Sequence, residues 1–146
     1  MSQQILLKKA EKEDWTRILQ LYSSLDEVDL EYRFFNLHRV SADEAKIIAG
    51  RPDHFALLAL QGESAIGEAT LQGNGEVSVV VQKQSRGMGV ARLLVTELID
   101  IARSKGFKKL RFFTLPSNSK MVGLGRAFGF RVLSHSSMEE EWILDL

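Results

Sequence analysis

The sequence predicts a single α/β domain built around a central mixed sheet. Three observations carry this reading. Short apolar or β-branched runs alternate with amphipathic segments of helical period along all 146 residues. About 45% of the residues are apolar and 26% are charged, the balance of a globular protein large enough to bury a core. Pro52 and Pro116 are the only prolines, and no repeat or low-complexity linker divides the chain, so residues 1–146 are expected to form one domain.

The elements follow in order. Ile5-Leu6-Leu7 reads as a first strand. Ile18, Leu21, Tyr22 and Leu25 recur at helical spacing, and Asp14 is placed to cap that helix. Glu31-Tyr32-Arg33-Phe34-Phe35 is a helical or irregular stretch of aromatic weight. Ser41-Ala42-Asp43-Glu44 fits a capping box that opens a further helix, which Gly50 can close. His54 to Leu60 and Ala65 to Leu71 read as a hairpin about Gln61-Gly62-Glu63-Ser64. Gly73-Asn74-Gly75 is a second turn, leading into the β-branched strand Glu76 to Val81. A long helix begins near Val90, with Ala91, Leu94, Val95, Leu98 and Ala102 on one face, and ends at Lys105-Gly106. Leu110 to Thr114 is a strand. A helix carrying Met121, Leu124 and Phe128 comes next and stops at Gly129. Phe130 to Leu133 and Glu141 to Leu144 complete the sheet.

Composition excludes several chemistries. With no cysteine there is no disulfide scaffold, no thiolate zinc site and no cysteine nucleophile. His38, His54 and His135 are scattered without ligand spacing, so no metal is expected. Nineteen basic residues balance nineteen acidic ones, which argues against a broad nucleic-acid surface. The segment MSQQILLKKAEKEDW lacks a signal-peptide core, and no run of about 18 apolar residues occurs. A cytoplasmic protein without membrane attachment is expected. Its chemistry must use carboxylates, hydroxyls, backbone groups or a bound organic cofactor.

The most informative segment runs from Val79 to Ala91. There a strand enters a loop with two glycines and passes directly into a long helix. The first turn of a helix has free N–H groups and a favourable dipole, and Gly87 and Gly89 allow close approach of an anion. Arg86 adds a cationic donor. A tight strand-to-helix turn with no ligand is the alternative that a lone G-x-G leaves open. The loop is not a Walker sequence, lacking G-K-[S/T], and not a dinucleotide fingerprint, lacking the third glycine.

Gln84-Ser85-Arg86-Gly87-Met88-Gly89 resembles the Q/R-x-x-G-x-G/A signature of the GNAT superfamily of acetyl-CoA-dependent N-acetyltransferases. Downstream, Asn118-Ser119-Lys120-Met121-Val122, Leu124 and Phe128-Gly129-Phe130 resemble the family's N-x-x-M/A…L…L-G-F block. The likeness extends over nearly the whole chain and implies a mixed, mostly antiparallel sheet flanked by helices. Ser24 to Phe35, ending in Tyr32-Arg33-Phe34-Phe35, and the strand Glu76 to Val81 are similar to bacterial Pat-type protein lysine acetyltransferases, without those proteins' additional domains. Two departures stand out. The stretch from Val81 to Gly87 is shorter than the usual pattern, through an earlier strand end or a tighter loop. Gly125 stands where many relatives carry a tyrosine general acid.

The resemblance implies acetyl transfer from acetyl-CoA to an amine. The diphosphate would lie on the amides of Arg86, Gly87, Met88, Gly89, Val90 and Ala91. The pantetheine arm would pair with Val79 and Val81 like an added strand. A backbone N–H near Val80 or Val81 would polarise the thioester carbonyl, and Asn118 would donate to the cofactor arm. Glu76 is the first candidate base and Glu68 the second; the alternative is that both are solvent-facing strand residues. His54, Tyr32, Phe34, Phe35 and Trp142 read more simply as structural, Arg33 as a tether to the sheet, and Glu139-Glu140-Glu141 as a solvated edge. A protein lysine is the favoured acceptor. A small amine, or a non-catalytic acyl-CoA-binding sensor, is the alternative, and monomer and homodimer both remain open.

Overall fold

The computed structural model describes residues 4–34, 39–50 and 54–146, the side chain of Phe34 excepted. The elements are β1 (Ile5–Lys9), α1 (Trp15–Ser23), α2 (Glu27–Phe34), α3 (Ala42–Gly50), β2 (His54–Gln61), β3 (Ser64–Gln72), β4 (Val77–Val81), α4 (Val90–Ser104), β5 (Lys109–Thr114), α5 (Ser119–Ala127), β6 (Arg131–His135) and β7 (Glu140–Asp145). Short 3-10 turns at Lys12–Asp14 and Lys83–Ser85 complete the order.

Two antiparallel sheets form, in the orders β1-β2-β3-β4 and β5-β7-β6. They meet at a parallel bridge between Glu76 and Arg111, where the Arg111 N–H donates to Gly75 O at 3.0 Å. Gly75 permits this approach. Its φ is +87°, and a Cβ there would lie 2.7 Å from the Lys109 carbonyl oxygen. The mixed, mostly antiparallel sheet is thus two antiparallel halves hinged at one parallel contact.

Apolar side chains bury both faces of the first sheet. On one face Leu57, Ala69 and Leu71 pack against Leu94, Leu98 and Ala102 of α4, in a cluster shared with Phe112, Phe130 and Trp142. On the other, Ala56, Leu58 and Val80 pack against Ile18, Leu21 and Tyr22 of α1 and Leu30 of α2. The period-2 and period-3.6 patterns of the sequence generate these faces directly.

Local caps divide between expectation and correction. The Ser41 box forms: the Glu44 N–H donates to Ser41 Oγ at 3.2 Å, and the Ser41 N–H donates to Glu44 Oε1 at 3.3 Å. Asp14 does not cap the first turn of α1. Its buried carboxylate accepts from the Glu11 N–H at 2.8 Å and from Lys8 and Arg17, each at 2.6 Å. Two nearby cations and a turn amide outcompete the helix end, and the carboxyl is held below the ordinary aspartate range. Burial pushes it up, and those hydrogen bonds more than reverse that push.

Candidate active site

The register of β3 on β4 decides what the β4 backbone can do. Gly67 opposes Val81, Glu68 opposes Val80 and Ala69 opposes Val79. The Gln82 N–H donates to Ile66 O and the Gln72 N–H donates to Glu76 O, both at 2.9 Å. Hydrogen-bonded pairs alternate along an antiparallel ladder, so even-numbered β4 residues point their backbone groups at β3. Val80 therefore spends its N–H on Glu68, and it is not an available oxyanion donor. That corrects its expected place beside the thioester. Val79 and Val81 direct their N–H and C=O groups to the open edge.

Beyond the Glu76–Arg111 bridge no further pairing joins the two sheets among the described residues, which leaves a gap between them. The gap is an apolar channel lined by Val77 and Val79 of β4, Leu98 of α4, Phe112 of β5, and Met121 and Gly125 of α5. At its upper end β4 runs to Val81, and the Lys83–Ser85 turn takes up the slack, so the short connection is a tighter loop rather than a shorter strand. Gly87 and Gly89 have φ of +84° and +79°, and a Cβ at either would meet nothing within 4 Å. Both face open space beside the start of α4. The first turn-closing bond there runs from the Leu93 N–H to Gly89 O at 3.1 Å, which leaves the amides of Val90 and Ala91 without intrahelical acceptors. An exposed glycine cradle at a helix start fits a diphosphate.

Arg86 has a different place from the one expected. Its guanidinium donates to Val81 O from Nε at 3.1 Å and from Nη2 at 3.0 Å, and Nη2 also donates to Asp29 Oδ1 at 2.7 Å. Its own N–H donates to Lys83 O at 3.3 Å. Both the side chain and the amide are committed to protein partners.

On α5, Asn118 is the N-cap, its Oδ1 accepting from the Met121 N–H at 3.2 Å. No acceptor among the described residues takes its NH2 group. Gly125 faces the channel directly against Phe112, leaving no room for a phenol.

The two candidate bases differ sharply. Glu76 sits one residue before β4, half-buried, and its Oε2 accepts from Gln72 Nε2 at 3.3 Å. Glu68 is 1% exposed. Tyr22 donates to Glu68 Oε1 at 2.5 Å, and Arg33 Nε donates to the Tyr22 oxygen at 3.1 Å. Burial pushes the Glu68 carboxyl up, against the pull of Arg33 and Tyr22, and burial also pushes the Tyr22 phenol up. An amine cannot reach a carboxylate sealed in this way.

Arg33 is linked to the sheet through Tyr22, whose hydroxyl bonds Glu68 on β3. Its electrostatic neighbours include both Glu68 and Glu76. Tyr32 Oη donates to Ser117 O at 3.3 Å, spanning α2 and the β5–α5 loop. Phe35 and the Phe34 side chain lie outside the described residues. His54 begins β2, away from the channel. Trp142 is core, stacked on Phe112 with centroids 5.8 Å apart. Glu140 pairs with His135 and Glu141 with Arg111; both glutamates lie on β7, the central strand of the second sheet, with side chains 14% and 18% exposed, so of this acidic run only Glu139 is solvated as expected. Sequence reasoning missed Asp29 and Tyr22. Their partners lie 57 and 46 residues away, and no local pattern announces such pairs.

Three comparisons fit this architecture. The crystallised GNAT domain of S. lividans PAT superposes with a TM-score of 0.87 at 24% identity, covering 96% of this chain and 89% of that one. A putative acetyltransferase, yncA from Salmonella typhimurium, solved with acetyl-CoA, matches at TM-score 0.80 and 20% identity, covering 97% and 94%. The ribosomal-protein-alanine N-acetyltransferase of Brucella melitensis matches at TM-score 0.78 and 21% identity, covering 97% and 99%. At these identities the likeness shows the fold. The family model described as the acetyltransferase (GNAT) family matches residues 10–130, from the end of β1 through the diphosphate-type loop to Phe130. The chain belongs to that family and is, by class, an acetyl-CoA-dependent N-acetyltransferase.

Proposed function

We propose that the chain acetylates a primary amine, with a protein lysine as the favoured acceptor and Glu76 as general base. Acetyl-CoA supplies the activated acyl group as a thioester. The observation that carries the reading is the arrangement along one strand: Glu76 stands at the foot of β4, the N–H groups of Val79 and Val81 face the open edge above it, and the glycine cradle lies beyond. Val79 and Val81 are placed to pair with an extended amide arm and to polarise a carbonyl. Gly87, Met88, Gly89, Val90 and Ala91 would hold the diphosphate, and the Asn118 NH2 would donate to the arm.

A lysine amine with a pKa of about 10.4 is almost wholly protonated near neutrality, so attack requires a base. Glu76 is half-buried at the junction of the two sheets, whereas Glu68 is sealed. The exposed Glu27 and Glu31 of α2 favour the approach of a cationic acceptor. The departing thiolate takes its proton from water or from the ammonium product, since α5 offers no hydroxyl at Gly125. The likeness of Ser24–Phe35 and Glu76–Val81 to Pat-type enzymes favours a protein lysine over a small amine.

The test is Glu76→Gln, assayed by release of free CoA on an acceptor panel of folded proteins, polyamines and amino acids. A fall in kcat of about 10²-fold or more with CoA affinity retained is expected, and unchanged turnover would remove Glu76 from the base role. Acetylation of polyamines alone would replace lysine as the acceptor. The crowding of Gly125 by Phe112 favours one second reading, a cofactor sensor. Tight CoA binding by the wild type with no transfer to any amine would establish it.

A further inference from the structure

We propose that Asp29 and Arg86 are a positioning pair that holds the end of β4 from helix α2, so that Arg86 serves the strand edge and not the diphosphate. The proposal rests on the acetyl-transfer reading and deepens it.

The peptide joining Val81 to Gln82 is clamped from both sides. Its N–H donates to Ile66 O on β3 at 2.9 Å, and its C=O receives both Arg86 bonds. The guanidinium is oriented in turn by Asp29 Oδ1 at 2.7 Å, a carboxylate only 9% exposed. Asp29 is itself fixed. Its Oδ2 accepts from the Asp26 N–H at 3.3 Å, and its own N–H donates to Asp26 Oδ1 at 2.9 Å. Every link from α2 to the strand edge is therefore a defined hydrogen bond.

Helix α2 is also fastened to the opposite arm of the channel. Tyr32, near its C-terminus, bonds Ser117, the residue before Asn118. The helix thus braces β4 and its loop against the β5–α5 loop, with the channel between them.

Moving Arg86 onto a diphosphate would strand two groups. The Val81 carbonyl would lose both donors, and the nearly buried Asp29 carboxylate would lose its counter-charge. Leaving a buried carboxylate unpaired is among the costlier changes a site can undergo. The gain would be a contact that the glycine cradle already provides through backbone N–H groups. The free Val81 N–H belongs to the Val80–Val81 peptide, which adjoins the clamped Val81–Gln82 peptide at the Val81 Cα. A displacement of about 1 Å in such a donor costs about 10²-fold in rate, so holding the peptide next to it has a catalytic consequence.

The experiment compares Asp29→Asn, Arg86→Gln, the double variant and the gentler Asp29→Glu and Arg86→Lys. CoA affinity is measured by calorimetry, turnover by CoA release, and the carbonyl resonance of bound [1-13C]acetyl-CoA by NMR. Each of the first two variants should keep the CoA Kd within about threefold, lower kcat by about tenfold or more, and return the thioester resonance toward its free value. The double variant should be no worse than the poorer single one, because both remove the same constraint. Asp29→Glu should regain most of the activity. The proposal is overturned if Arg86→Gln weakens CoA binding by about tenfold or more while Asp29→Asn tightens it, the behaviour of a phosphate ligand. Additive losses in the double variant would overturn it as well. If the wild type transfers nothing, the transfer reading fails by itself, and the NMR shift and CoA affinities still decide the fate of the pair. If the Asn and Gln variants do not fold, the same readouts on the Glu and Lys variants apply.

Discussion

A Cβ built on Gly125 would lie 2.6 Å from Cζ of Phe112, a ring that is 1% exposed and boxed between Phe130 and Trp142. Any side chain at this α5 position must displace that ring. Gly125→Ala is expected to destabilise the fold by about 1–3 kcal/mol, and Gly125→Tyr by more, in urea unfolding. Supplying the tyrosine is expected to leave kcat no higher than wild type. A Tyr variant that folds normally and turns over faster would show that the position can host an acid after all.

Gly87 tests the anion cradle. Gly87→Glu would place a β-carbon at a φ of +84° and a negative charge in the open space beside the α4 amides. CoA affinity should fall by about tenfold or more, with a stability loss of about 1 kcal/mol from the backbone alone. Calorimetric titration with CoA is the check, and undiminished affinity would move the diphosphate elsewhere.

Glu68 and Glu76 should separate in pH experiments. Burial raises the Glu68 carboxyl, so the fold favours its protonated form. That contribution is complete below the ordinary glutamate value of about 4.3 and fades as pH rises through the raised value. Glu68→Gln, neutral at every pH, should therefore gain stability relative to wild type as pH increases. It should leave kcat/KM near wild type, whereas Glu76→Gln should lower it by about 10²-fold. Parallel denaturant titrations and kcat/KM profiles measure both.

Asp14 shows the opposite sign. Its carboxyl is lowered, so its contribution is present above the ordinary aspartate range and disappears as pH falls through the lowered value. Asp14→Asn should cost about 2–3 kcal/mol at pH 7, because Lys8, Arg17 and the Glu11 amide lose a buried charged acceptor. The variant should also lose stability less steeply than wild type below about pH 4. Urea midpoints across that range decide the matter.

Features built from neighbouring residues were legible in the chain alone. The glycine loop, the β-branched run before it and the amphipathic helix after it are contiguous, and their backbone preferences and hydrophobic periods act over a few residues. The capping box at Ser41 belongs to the same class. So does the expectation of an α/β fold with a mixed, mostly antiparallel sheet.

Tertiary structure decided what depends on pairing over distance. Val80 reads like its neighbours Val79 and Val81, but which of them offers a free N–H depends on the β3–β4 register, and a shift of one residue would exchange the answer. Glu68 and Glu76 look alike as strand glutamates, yet Tyr22, 46 residues away, closes one of them. Arg86 reads as a phosphate donor until Asp29, 57 residues earlier, is brought against it. Side-chain chemistry is written locally, whereas the availability of a donor or an acceptor is set by whatever the folded chain places beside it.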